Sequence, residues 1–228
     1  CLVSMLPLVL LMRRRLANDG AAAAKAAAER SAELPMSPMA LQVLLCIAGV
    51  ACCVAMSMPQ VHLVAYCGDL GYGPARGAEM LSLMLGLGII SRVASGFIAD
   101  RIGGVRTLLL GSMLQGVALL LYLMFDGLYS LYVISGLFGL FQGGIVPSYA
   151  IIVREYFAPR EAGTRVGLVI FATVIGMALG GWLAGVIFDA TGSYEAAFLN
   201  GLGWNLLNVC IVSFLLLRSR MRPKLAAG

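Results

Sequence analysis

Six apolar runs, each about long enough to cross a bilayer, decide what this chain can fold into. They cover residues 41–66, 78–99, 105–125, 128–153, 166–188 and 196–217. A hydrocarbon core needs roughly 20 helical residues to span it. Backbone polar groups find no water there, so such runs become helices; a barrel would need strands of alternating polarity instead. Turn-forming residues separate them: Gly71-Tyr72-Gly73-Pro74, Gly103-Gly104, Asp126-Gly127, Ala158-Pro159-Arg160 and Thr191-Gly192-Ser193. The 228 residues are 61% hydrophobic and 12% charged, too few charges to give a soluble domain its polar coat. The expected fold is an all-α membrane protein whose residues 41–217 form a six-helix transmembrane bundle.

Charge gives the bundle an orientation. Arg13, Arg14, Arg15, Lys25 and Arg30 precede the first full run, Arg101 and Arg106 follow the second, and Arg154, Arg160 and Arg165 follow the fourth. With Arg218, Arg220, Arg222 and Lys224 in the tail, these make fourteen of the sixteen Lys and Arg residues. The opposite connections hold Arg76 among Asp69, Glu79, Asp126, Asp189 and Glu195. The positive-inside rule therefore predicts a cytoplasmic linker (residues 13–40) and a cytoplasmic basic tail (residues 218–228); the expected location of the bundle is the plasma, or inner, membrane. Residues 1–12, followed by three arginines, read as the cut end of an earlier spanning helix, since a secretory signal carries its charges ahead of its apolar stretch. The linker is rich in alanine and charge, closes on Pro35 and Pro38, and reads as a tether. The net charge of +5 is thus a matter of topology, and no nucleic-acid partner is expected. The cysteines lie in or beside apolar runs without C-x-x-C spacing, so neither a metal site nor a cofactor is expected.

The polar residues inside the runs carry the functional argument. They are Gln60 and His62, Arg92, Gln115, Gln142, and the pair Asn205 and Asn208; no carboxylate lies mid-run. Arg92 stands eight residues before Asp100, about 12 Å up a helix. A charge at such depth costs at least about 2.5–3.5 kcal/mol, which usually marks a function. The alternative is a side chain that snorkels to the near interface. Gly88, Ser95 and Gly96 beside it form a small-residue face suited to helix packing or to lining a cavity. An unpaired guanidinium attracts an anion, and its planar fork matches a carboxylate. Arg92 is accordingly the candidate substrate residue. His62, the lone histidine, suits either a proton relay or a hydrogen bond to a neighbouring helix. Gln142, next to Gly143-Gly144, is a candidate substrate contact, whereas Gln115, Asn205 and Asn208 look like interhelical glue. Gly176, Gly180, Gly181 and Gly185 are spaced for close helix packing, as are Gly136, Gly139, Gly143 and Gly144, where Pro147 also permits a bend. An intramembrane protease needs a serine in a G-x-S-x-G setting to work with its histidine, or two mid-span aspartates, and the runs offer neither; no enzyme is expected.

"GFIADRIGGVR" (96–106) resembles the G-x-x-x-D-R-x-G loop of the major facilitator superfamily, in the copy between the eighth and ninth helices. Gly96, Asp100, Arg101 and Gly103 match in place, and Arg106 is the first basic residue after them. "PQVHLVAYCGDLG" (59–71), Arg92, "VREYFAPREAGTRVG" (153–167) and "GVIFDATGSY" (185–194) are similar to the monocarboxylate-porter and oxalate/formate-antiporter branch. The resemblance implies the C-terminal half of a twelve-helix carrier, with this chain supplying helices seven to twelve and lacking the N-terminal half. It implies alternating access around a midplane site, with Arg92 holding a substrate carboxylate and His62 and Gln142 lining the cavity. Asp100 and Arg101, with Gly96, Gly103 and Arg106, would form a gating latch. Lipid, a small organic anion and protons are the implied partners. Two departures concern the substrate. Gly88 stands where monocarboxylate porters carry an aspartate one turn before this arginine, and the run 166–188 lacks the lysine of oxalate carriers. A facilitator-type exporter of drugs or amphiphiles, and a non-transporting sensor on the same fold, are the alternative functions.

Overall fold

The computed structural model describes residue 25 and residues 36–220, and within 36–220 it is helical almost throughout. The expected helix stub at 1–12, most of the linker and the tail beyond 220 lie outside the described residues. Seven helices follow in order: α1 (Pro38–Asp69), α2 (Pro74–Ile102), α3 (Gly104–Met124), α4 (Leu128–Gln142), α5 (Ile145–Tyr156), α6 (Pro159–Thr191) and α7 (Tyr194–Arg220). With α4 and α5 taken together, six stretches are long and apolar enough to cross a membrane. All six apolar runs are thus helical, and the chain forms an all-α six-helix bundle.

The helix starts follow from local chemistry. Ser37 caps α1, its hydroxyl accepting from the Ala40 N–H at 3.2 Å. Proline opens α1, α2 and α6, where its missing N–H is not needed. One residue, Gly103, joins α2 to α3 at φ 86° and ψ 161°, a conformation open to glycine and closed to side chains with a Cβ. The expected continuous fourth run is instead divided at Gly143-Gly144. Pro147 has no N–H to give the Gly143 carbonyl and its ring crowds that oxygen, so the regular ladder cannot run through. The two glycines absorb the resulting bend.

α1 lies chiefly against α6 and α7, α2 against α4, and α3 against α7. Large side chains fill the centre, Tyr122, Tyr149, Phe138 and Leu45 among them. The outside is also apolar: Ile89, Val93 and Phe97 of α2 and Phe171, Val174 and Trp182 of α6 are all more than half exposed. Water would penalise that surface by about 25 cal/mol per Å², whereas lipid or a partner helix accepts it.

Candidate functional site

The bend in the fourth span sits where α4 crosses α2 at close range. A Cβ placed on Gly143 would meet the Ser91 Cβ at 2.7 Å, and one on Gly144 would run into Ser95. Of the expected small-residue face of α2, Gly88 and Ser95 are consumed in this crossing together with Ser91 and are buried, whereas Gly96 takes no part in it. Arg92 lies about 40° round the helix from Gly88, given roughly 100° per residue. That offset carries it past the edge of the packed face. Its side chain is exposed, and among the described residues that side chain has no ion pair and no hydrogen-bond partner. Gly96, one turn on, has open space where a Cβ would stand.

Gln142 ends α4 and is 5% exposed. Its Oε1 accepts a 2.9 Å hydrogen bond from Gln60 Nε2 of α1, a residue set just after the helix-interior Pro59. Because Ser91 meets Gly143, Arg92 and Gln142 lie one residue either side of the same crossing. The α2–α4 crossing thus sets Gln142, bonded to Gln60 of α1, against the turn of α2 that also carries Arg92. His62 stands elsewhere. Two residues past Gln60 is about 200° round a helix, so His62 faces α6, with its Nε2 3.2 Å from the Gly181 carbonyl oxygen. No hydrogen bond among the described residues links it to Arg92 or Gln142. An exposed guanidinium without a partner among the described residues suits capture of a small anion. Among the described residues no group of three or more His, Cys, Asp or Glu side chains could hold a metal ion.

The loop residues sit about two helical turns along α2 from this crossing. Asp100, Arg101 and Arg106 are exposed, and Gly103 makes the one-residue turn. Together with Glu155 and Ser219 they line an open pocket of about 570 Å³. Glu155 of α5 is a residue that sequence reasoning missed: both its carboxylate oxygens accept from the Gly104 N–H, at 3.2 and 3.3 Å. A carboxylate here meets the unsatisfied, electropositive start of α3. Its sole sequence signal was an acidic residue near the end of an otherwise apolar run.

The α6 glycines divide into two kinds. At Gly176 a Cβ would lie 2.6 Å from the Val50 carbonyl oxygen, and at Gly180 it would lie 2.6 Å from Val54 backbone atoms, so α1 and α6 touch through bare backbone. Gly181 and Gly185 are looser, with Val61 and His62 Cε1 at 3.4 Å and 3.9 Å. Away from the crossing runs a buried polar chain: Tyr149 donates to Asn208 Oδ1 at 3.0 Å, and Asn208 Nδ2 donates to Ser112 Oγ at 2.7 Å. Nearby, Gln115 Nε2 donates to the Cys52 carbonyl at 3.3 Å. These bonds tie α1, α3, α5 and α7 together.

Residues 43–228 match the sequence profile of the Major Facilitator Superfamily. Monocarboxylate transporter 13 of Rattus norvegicus is 33% identical over 144 residues, covering 62% of this chain and 34% of that protein. Monocarboxylate transporter 12 of Homo sapiens is 28% identical over 147 residues, covering 61% and 28%. A probable anion transporter of Arabidopsis thaliana is 31% identical over 121 residues, covering 51% and 28%. The chain spans about a third of the length of these curated relatives. A solved structure of a peptide transporter, POT, in its E310Q mutant form with alafosfalin, shares the fold at a TM-score of 0.73 and 16% identity, covering 82% of this chain and 41% of that one.

Proposed function

The chain belongs to the Major Facilitator Superfamily, and from that premise we propose that it forms the C-terminal six-helix half of a secondary transporter for a small organic anion of the monocarboxylate type. One observation carries the reading: Arg92, set within a membrane-length helix, is exposed and without a side-chain partner among the described residues, one residue from the α2–α4 contact that Gln142 also flanks. An unneutralised guanidinium at membrane depth is costly to keep unless an anion periodically neutralises it. The similarity to monocarboxylate transporters supports the same class of substrate. In this reading Gln142 contributes a second contact to the carboxylate. His62 takes or passes a proton at the α1–α6 seam. Asp100, Arg101 and Arg106 latch the basic end of the bundle, with the linker and tail in the cytoplasm. A second six-helix half closes the path from the other side, and the two halves rock about the midplane.

The test is uptake of lactate, pyruvate, oxalate and formate into proteoliposomes holding the full-length protein, with and without a pH gradient. Saturable uptake is expected for at least one of them. Arg92→Gln is expected to lower kcat/KM about ten- to a hundredfold, the worth of a hydrogen bond to a charged group. No uptake of any carboxylate overturns the anion reading in favour of an exporter or a sensor. Uptake untouched by the substitution removes Arg92 from the site.

A further inference from the structure

A primary amide has a donor end and an acceptor end, and which one faces a ligand decides whether it attracts an anion or repels it. Gln142 could present either. The structure shows its Oε1 engaged by Gln60 Nε2 at 2.9 Å. Its own Nε2 makes no hydrogen bond among the described residues, yet is not among the polar atoms sealed without a partner. The Gln142 Nε2 is therefore uncommitted among the described residues and not wholly sealed, while its carbonyl end is held. The backbone around it has little freedom to readjust, since Gly143 is pinned against Ser91 and Gly88 of α2. The neighbour beyond Ser91 is Arg92.

We propose that Gln60 is a positioning residue: by donating to Gln142 Oε1 it turns the Gln142 N–H groups toward the anion that Arg92 draws in. The inference rests on the reading of Arg92 and Gln142 as an anion site. The opposite pairing, with Gln142 donating to Gln60 Oε1, would aim a carbonyl oxygen at the same anion. Gln60 thus contributes to selectivity for anions over neutral or cationic solutes without touching the substrate. Its place just after Pro59 suits the task, because Pro59 cannot donate to the Ala55 carbonyl and α1 is locally released from its regular ladder there.

A coupling experiment on the full-length protein tests this. Gln60→Glu provides an ionised side chain that only accepts, so Gln142 must reverse its amide; the new charge also repels the anion directly. Gln142→Met removes the amide, so Gln60→Glu in that background reports the charge alone. Carboxylate KM is measured in proteoliposomes at alkaline pH for wild type, both single variants and the double variant. Gln60→Glu is expected to raise KM about tenfold more with Gln142 present than in the Gln142→Met background, the worth of one hydrogen bond to a charged group. Gln60→Lys, which only donates, keeps the amide orientation and is expected to change KM by the same factor in both backgrounds. Equal factors for Gln60→Glu in the two backgrounds overturn the positioning role, as does a background-dependent loss with Gln60→Lys, while wild-type uptake leaves the anion reading standing. A wild type that takes up no carboxylate overturns both.

Discussion

At the scale of single residues, the polar groups inside the bundle differ: Gln115 Oε1 and Asn205 Nδ2 are buried without a hydrogen-bond partner, and two further populations stand apart from them. Arg92 and Gln142 have uncommitted donors, whereas Asn208, Tyr149 and Ser112 satisfy one another in the core. The second population is there for packing, and its removal is expected to affect stability. Asn208→Leu leaves the Tyr149 hydroxyl without its acceptor and Ser112 without its donor in a site that is fully buried. Single interhelical hydrogen bonds in membranes average only about 0.6 kcal/mol, but an orphaned buried group costs about 1–3 kcal/mol. The expected loss is thus about 1–3 kcal/mol, seen as a lower unfolding midpoint in detergent, with KM for the transported carboxylate unchanged. Arg92 was visible in the sequence because a charge among apolar residues announces itself. The Gln60–Gln142 bond was not, since its partners lie 82 residues apart and nothing local links them.

At the scale of elements, the α2–α4 crossing sets the geometry. Gly139, Gly143 and Gly144 let the α4–α5 bend sit directly on the α2 backbone, and the bend follows from Pro147. Gly143→Val would drive a branched side chain into Ser91 and is expected to cost about 1–3 kcal/mol by overpacking. Carboxylate affinity should fall with it, because Arg92 and Gln142 flank that contact. Gly96→Ala is the contrasting case. Open space awaits its methyl group, and replacing a helix-interior glycine by alanine gains about 0.5–1 kcal/mol. Thermal unfolding of the two variants side by side checks both signs; a destabilised Gly96→Ala would mean that this position meets a neighbour in the membrane. The glycine spacings in α4 and α6 were legible as packing signals. Which helices they would meet was not, because a spacing specifies a close approach and leaves its partner open.

At the scale of the molecule, the bundle exposes apolar side chains on several faces, and Arg92 opens outward from α2 instead of into an enclosed cavity. In the proposed carrier, one six-helix bundle would present one wall of the path. Residues 1–228 alone, reconstituted in sealed vesicles, are expected to give no saturable carboxylate uptake above that of protein-free vesicles, and to recover it when a complementary six-helix half is supplied. Transport by the chain alone would mean that copies of this bundle enclose the path by themselves. Among the described residues, salt bridges contribute little to holding the unit together: Arg76–Glu79 and Arg165–Glu161 are local pairs within one helix, each with a well-exposed carboxylate. Cohesion rests on the packed apolar core, on backbone contact through glycine and on the buried hydrogen bonds.

The sequence by itself determined the medium, the number of spans, their helical form and the position of the turns. Each of these depends on local quantities: run length against bilayer thickness, the cost of an unpaired peptide group in hydrocarbon, and the φ freedom of glycine. It also marked Arg92, because burying a lone charge is expensive wherever the helix packs. The tertiary structure decided the rest. It used the small face of α2 for the α4 crossing and left Arg92 at its edge, turned His62 away toward α6, paired Gln60 with Gln142, and set Glu155 over the start of α3. Those outcomes depend on the angle at which one helix meets another, and that angle is fixed by contacts between residues far apart in the chain.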